Sequence, residues 1–261
     1  MNITIITGAS SGLGKEFAIQ LDEKLQNVDE IWLLARREDR LEELSEQLQH
    51  STRIFPMDVT DASALASIAE ELEEKQPCIK MLINCAGYGI LGDFATLSLE
   101  EQTGMLDVNC IALTKITHMC IPYMKRNSRM IQIASSAAFL PQQGFAVYAA
   151  TKSYVLSFSR AIGAELRKKG IYVTAVCPGP VNTEFFDIAE KYQERLSVKN
   201  MTIVEAKDVV KDAITASVNK RPVAVYGPYM KAVQVLSKVL PHSFILRAME
   251  IVNKVCKGEH K

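Results

Sequence analysis

Short apolar runs alternate with longer amphipathic stretches along most of the chain. Residues 3–6, 30–35, 53–57, 81–84, 130–134, 172–177 and 222–226 have the length and aliphatic content of buried strands. Between them, residues 15–25, 40–48, 62–74 and 147–168 space apolar side chains three and four apart, as one face of a helix requires. Strands alternating with helices predict an α/β chain, with a mainly parallel sheet of seven strands covered on both faces. The spacing is regular to about residue 226, with no internal repeat and no linker rich in Gly, Ser or Pro, so residues 1–228 read as one domain. Pro178-Gly179-Pro180 breaks the pattern after the sixth strand, and residues 181–206 are an irregular loop. Helical spacing returns in residues 229–261, with Tyr229, Met230, Val233, Leu236, Val239 and Leu240, then Ile245, Leu246, Met249, Val252 and Val255. This stretch reads as a helical extension of the same domain.

Composition narrows the picture. At 261 residues and 48% hydrophobic, the chain can bury a substantial core. Thirty basic and thirty acidic residues balance, so no global field favours nucleic acid. Residues 1–8 lack a basic segment followed by a long apolar run, so no signal peptide is expected. No uninterrupted apolar run is long enough to span a membrane. The six cysteines are scattered without a Cys-x-x-Cys pair and read as buried free thiols, which fits a reducing cytoplasm. The four histidines show no metal-ligand spacing, and no metal is expected.

The first strand runs into Thr7-Gly8-Ala9-Ser10-Ser11-Gly12-Leu13-Gly14 and then into a helical pattern. Glycines permit a tight turn and close approach of a pyrophosphate, and the helix N-terminus offers free N–H groups to the anion. Gly8, Ser10, Ser11, Gly12, Leu13 and Gly14 are therefore candidate dinucleotide-binding positions. Arg36 and Arg37 follow the second strand, where an acid would bind the ribose hydroxyls of NAD. A guanidinium there suits the 2′-phosphate of NADP(H). Arg36 is the better placed and Arg37 the alternative.

Tyr148 and Lys152 are four residues apart in a helical stretch, which puts phenol and ammonium on one face. An isolated Tyr has a pKa of about 10. A fixed positive charge nearby favours the phenolate and suits the pair to exchanging a proton with a carbonyl or alcohol oxygen.

These motifs stand in order with Asp58-Val59, Asn84-Cys85-Ala86-Gly87, Asn109, Ser135-Ser136 and Pro178-Gly179. On them, residues 1–226 resemble the short-chain dehydrogenase/reductase family in its compact, single-domain form. The resemblance implies a Rossmann-type, doubly wound fold. It implies Tyr148 as general acid/base, and Lys152 as the group that lowers its pKa and binds the nicotinamide ribose. Ser136 would hydrogen-bond the substrate carbonyl, and Asn109 would hold a water of the proton relay. Asp58 would meet the adenine amino group and Val59 its ring. Asn84 would support the sheet, while Ala86 and Gly87 pass close to the cofactor. Pro178, Gly179, Val181 and Thr183 would frame the nicotinamide. Two departures stand out. Cys85 replaces the usual second Asn, and two serines, 135 and 136, compete for the substrate-binding role.

Candidate substrate positions include Ile90, Leu91, Phe94, Phe139, Leu140, Phe185 and Phe186, an apolar set suited to a steroid or other lipid-like carbonyl. Lys191 and Arg195 could hold a substrate carboxylate. The leading expectation is an NADP(H)-dependent carbonyl reductase or secondary-alcohol dehydrogenase. Its alternatives are a non-catalytic NADP(H)-binding sensor, or a protein acting at a membrane surface through its basic amphipathic tail. The tail could equally cover the core, the pocket or a subunit interface. Relatives assemble through helices at 99–124 and 147–168, which implies a homodimer or homotetramer.

Overall fold

The structure, a computed structural model, describes residues 1–192, 203–241 and 244–247. Seven strands form one sheet: β1 (Asn2–Thr7), β2 (Glu30–Ala35), β3 (Ser51–Pro56), β4 (Cys78–Asn84), β5 (Met124–Ile133), β6 (Tyr172–Val176) and a last strand, Val223–Ala224. Their spatial order is β3-β2-β1-β4-β5-β6 and then the last strand, and all neighbours are parallel. The chain starts in the middle, winds out to β3, then returns to lay β4 on the other side of β1. The carboxyl ends of β1 and β4 thus flank the switch point, where open α/β sheets bind ligands.

Alternation along the strands explains the double coverage. Ile6 and Leu33 face a core with Phe17, Ala18 and Leu21 of helix α1 (Gly12–Lys24). Ile5, Trp32 and Leu34 face the opposite core, with Ile68 and Leu72 of helix α3 (Ala62–Lys75). A strand reverses its side chains at every residue, so aliphatic runs feed both layers. Helix α2 (Glu38–Gln47) follows β2, and helix α6 (Ala146–Leu166) lies between β5 and β6. Helices α4 (Leu99–Leu106) and α5 (Leu113–Cys120) are joined through a π-helical turn, Asp107–Ala112.

Some boundaries differ from the sequence pattern. α1 begins at Gly12 rather than residue 15, because the glycine turn itself supplies the first helical turn. β5 begins six residues earlier than expected, through the polar segment before Met130. The last strand is two residues long, since it pairs only with the end of β6. A small second sheet pairs Val181–Asn182 with Val204–Glu205 inside the irregular stretch. After helix Ala206–Val218, the tail forms helix Pro228–Val239. The expected continuation through Met249, Val252 and Val255 lies outside the described residues, as do Arg195 and Cys256. The other five cysteines are free thiols. Among the described residues, no helix is long and apolar enough to cross a membrane.

Candidate active site

The glycine turn closes against the start of the loop after β4. Gly8 has φ +68°, and a Cβ there would lie 2.9 Å from the Ala86 nitrogen. The Thr7 hydroxyl accepts hydrogen bonds from the Cys85 and Ala86 N–H groups, both at 3.0 Å, and so clamps the ends of β1 and β4 together. At Gly14 a Cβ would lie 2.1 Å from the Gly8 carbonyl oxygen, so only glycine lets α1 start this close to the turn. Ser11 caps α1 without a side-chain hydrogen bond, and the first turn holds no acid. Its N–H groups are left to an external anion. Gly8, Ser10, Ser11, Gly12 and Leu13 line a cavity of ≈ 850 Å³, while Gly14 packs behind them.

Arg36, Arg37, Asp58 and Val59 line the same end of the cavity. Arg36 is exposed and makes no protein ion pair among the described residues. Arg37 is committed: it donates to Glu184 Oε2 at 2.8 Å and reaches Ser10 Oγ at 3.3 Å. Arg40 grips the other oxygen of Glu184, and hydrogen bonds from Arg37 and Arg40 hold that carboxyl below its usual range. Asp58 Oδ1 accepts from the Thr60 N–H and hydroxyl, which orients the carboxylate. Glu184→Gln is expected to loosen Arg37 and Arg40 for an incoming phosphate. The pair is half exposed, so stability should change by no more than about 1 kcal/mol. NADPH should bind up to about fivefold tighter, with NADH unchanged, when both are titrated by fluorescence.

The other end of the cavity holds Tyr148 and Lys152. Tyr148, in the first turn of α6, is 7% exposed and stacks on Phe145 with ring centroids 4.1 Å apart. Lys152 lies one turn on, with Nζ 5.6 Å from the Tyr148 ring centroid and donating to the Ile133 carbonyl at 2.9 Å. Burial pushes the Lys152 ammonium down to about 8. Burial pushes the Cys85 thiol up to about 12, so it remains neutral beside this lysine. The serines separate by role. Ser135 Oγ accepts from the Ala137 N–H at 3.1 Å and caps a short 3-10 turn. Ser136 is anchored by its backbone N–H to the Pro178 carbonyl at 2.8 Å, and no protein partner claims its hydroxyl among the described residues.

Asn109 sits behind this end, in the π-helical turn, at 1% exposure. Its Nδ2 donates to the Tyr88 carbonyl at 2.8 Å and to Thr151 Oγ1 at 3.0 Å, and its Oδ1 accepts from the Tyr88 N–H. A Cβ on Gly87 would lie 2.8 Å from Asn109 Oδ1 and 3.2 Å from Lys152 Nζ, so that glycine brings the two side chains together. Asn84 points elsewhere. Its Nδ2 donates to Thr117 Oγ1, which also accepts from Gln132 on the adjoining strand, so its role here is to tie β4 and β5 to α5. Ala86, Gly87, Pro178, Gly179, Val181 and Thr183 all line the cavity.

The wall beside Tyr148 is apolar, with Leu91, Leu140, Phe185 and Phe186. Three expected members are missing. Ile90 is buried in a core with Met105, Phe139 packs against the cluster around Val155, and Phe94 is 65% exposed. Leu91 and Leu140, the chain neighbours of Ile90 and Phe139, reach the cavity instead. Lys191 does not face the cavity; it pairs with Glu101 at 3.2 Å. The tail adds Met230, Val233 and Leu236 to the wall.

The family model described as short chain dehydrogenase matches residues 2–194. The chain belongs to the short-chain dehydrogenase/reductase family. It is therefore an oxidoreductase by family. Sulfoacetaldehyde reductase 2 of Chromohalobacter salexigens is 31% identical over 220 residues, covering 80% of this chain and 85% of that protein. A short-chain dehydrogenase from Sphingobium yanoikuyae, solved with NADPH, has a TM-score of 0.75 at 24% identity and covers 100% of this chain and 97% of its own. A short-chain dehydrogenase/reductase from Burkholderia phymatum, solved with NAD, has a TM-score of 0.78 at 20% identity, covering 90% and 92%. Both share this fold.

Within this short-chain dehydrogenase/reductase site, the sequence pattern did not single out Thr7, Phe145 or Glu184. Thr7 opens the glycine motif, and Phe145 stands three residues before Tyr148, so each carried a local signal. Glu184 carried none, because its partners Arg37 and Arg40 are 147 and 144 residues away.

Proposed function

We propose that this protein interconverts an apolar ketone or aldehyde and its alcohol, using NADP(H). One observation supports this most directly. A single cavity joins the glycine turn and Arg36, which has no ion pair among the described residues, to Ser136, Tyr148 and Lys152, with aromatic and aliphatic walls beside the tyrosine. The backbone cradle fits a dinucleotide, since a Cβ at Gly8 or Gly14 would collide with neighbouring backbone. Gly8, Ser11, Gly12 and the α1 N-terminus would hold the pyrophosphate, Asp58 the adenine and Arg36 the 2′-phosphate. Bound nicotinamide supplies hydride to the carbonyl carbon or accepts it from the alcohol.

The remaining steps belong to the chain. Ser136 Oγ–H donates to the substrate oxygen and stabilises the charge that develops there. The Tyr148 hydroxyl delivers its proton to that oxygen in reduction and removes it in oxidation. Lys152, charged below about pH 8, favours the phenolate left behind. Phe145, Phe185 and Leu140 shield the reacting carbonyl from water. The aldehyde-reductase name of the Chromohalobacter relative agrees with carbonyl chemistry.

Paired assays of NADPH and NADH oxidation against a panel of apolar ketones test the proposal, in the wild type and in Arg36→Ala. Wild-type turnover should prefer NADPH. The variant should raise KM for NADPH by about tenfold or more, the worth of one charge-assisted hydrogen bond, and leave NADH use unchanged. Equal use of both cofactors by the wild type would remove the NADP assignment, and tight NADPH binding without turnover would favour a sensor. We also infer a homo-oligomer, supported by exposed Leu99, Leu106 and Ile111 on the segment 99–120 and Tyr154 on α6.

A further inference from the structure

The Pro228–Val239 helix closes one side of the cavity without burying any residue of its own. Tyr229, Val233, Leu236 and Leu240 recur at four, three and four positions, so they form one stripe, and all four line the cavity. The opposite stripe is Lys231, Val235, Lys238 and Val239. Val235 is 59% exposed and Val239 72%. At the rim, Leu236 and Phe244 both line the cavity and face solvent, at 51% and 61% exposure. The cavity mouth therefore opens within an exposed apolar patch, a kind of surface that marks an interaction site.

Charge identifies the occupant. From Ala213 to Met249 the sequence holds no carboxylate at all, in a chain that carries thirty acids. Lys231, Lys238 and Arg247 are exposed around the patch with no acid of the same segment to neutralise them. A second copy is a poor occupant, because a two-fold contact sets the patch against itself and brings these cations face to face. An anionic lipid surface supplies both what the apolar side chains need and what the cations need.

We propose that the Pro228–Val239 helix seats the protein on an anionic membrane surface, with the cavity mouth towards the lipid. Val235, Val239 and Phe244 enter the headgroup boundary, and Lys231, Lys238 and Arg247 bind lipid phosphates. Resting additionally on the carbonyl chemistry proposed above, a lipid-like substrate then passes from bilayer to cavity without crossing water.

Full-length protein is co-sedimented with vesicles of equal phosphatidylglycerol and phosphatidylcholine, and with phosphatidylcholine alone. Binding should be at least about tenfold tighter to the anionic vesicles and should weaken in high salt. The double variants Lys231→Glu/Lys238→Glu and Val235→Asp/Val239→Asp should each lose about tenfold or more, with unchanged thermal unfolding and NADPH affinity. None of these four residues lines the cavity, so the variants leave it intact. No vesicle binding, or binding that neither double variant reduces, overturns the proposal. So does a concentration-dependent dimer in sedimentation velocity that Val235→Asp/Val239→Asp abolishes, since a second copy would then cover the patch. The assay needs no ketone, so its failure is distinct from failure of the proposed turnover.

Discussion

Tyr148→Phe is expected to lower ketone reduction by about 10²–10⁴-fold, the range for losing a positioned general acid. The change should be confined to chemistry. The phenyl ring keeps its stack on Phe145 and its tilted contact with Phe185, with centroids 4.1 and 5.5 Å away. Unfolding temperature and NADPH affinity should therefore stay at wild-type values, while single-turnover reduction falls. A variant within threefold of wild type, about 0.7 kcal/mol, would place the proton donor elsewhere. The pH profile gives a second reading. Lys152 is protonated below about 8 and neutral above it, so the charge that favours phenolate disappears as pH rises through that value. Stability should move the other way. Burial lowers the Lys152 pKa from its ordinary 10.5, so between about 8 and 10.5 the unfolded chain holds the extra proton. In that window this group's contribution to stability rises with pH, and below it the buried ammonium is a net cost.

Gly14→Ala should damage both fold and cofactor binding. Its Cβ would sit 2.1 Å from the Gly8 carbonyl oxygen and 3.2 Å from the Ala9 Cα. These are backbone atoms and cannot rotate aside. Either α1 slides along the sheet or the turn opens, at about 3 kcal/mol, the upper end for overpacking. A calorimetric scan should show unfolding roughly 6–12 °C lower. Moving α1 also moves its free N–H groups away from the pyrophosphate, so NADPH affinity should fall together with stability. A variant that keeps both wild-type melting and wild-type NADPH affinity would show that the turn accommodates a methyl, against the geometry of Gly8 and Gly14.

Much of the site was legible because its signals are local. The glycine turn is read from spacing, since φ +68° at Gly8 and the close approach at Gly14 admit little else. Tyr148 and Lys152 are read from a one-turn separation on a helix. Other assignments needed the packed molecule. Only packing distinguishes the two serines: Ser135 Oγ accepts from the Ala137 N–H, and no protein partner claims the Ser136 hydroxyl among the described residues. Arg36 and Arg37 were separated only by Glu184, which pairs with Arg37 and with no atom of Arg36 among the described residues. Asn109 was named from the ordered motifs, but its π-helical setting and its bonds to Tyr88 and Thr151 leave no periodic trace in so short a segment. Among the expected apolar positions, Leu91 reaches the cavity and Ile90 does not, because loop residues take their direction from what they pack against.

The sequence by itself determined the alternating α/β order, the glycine turn and the one-turn pairing of Tyr148 with Lys152. Each is written in periods of two, three or four residues, and local backbone geometry turns those periods directly into shared faces. Tertiary structure decided which arginine pairs with Glu184, how Asn84 and Asn109 are bonded, and that the tail walls the cavity and carries an exposed basic rim. Those outcomes join segments that lie from 21 to 147 residues apart. They follow from how the layers pack and which charges that packing brings together, and no short stretch of the chain contains that information.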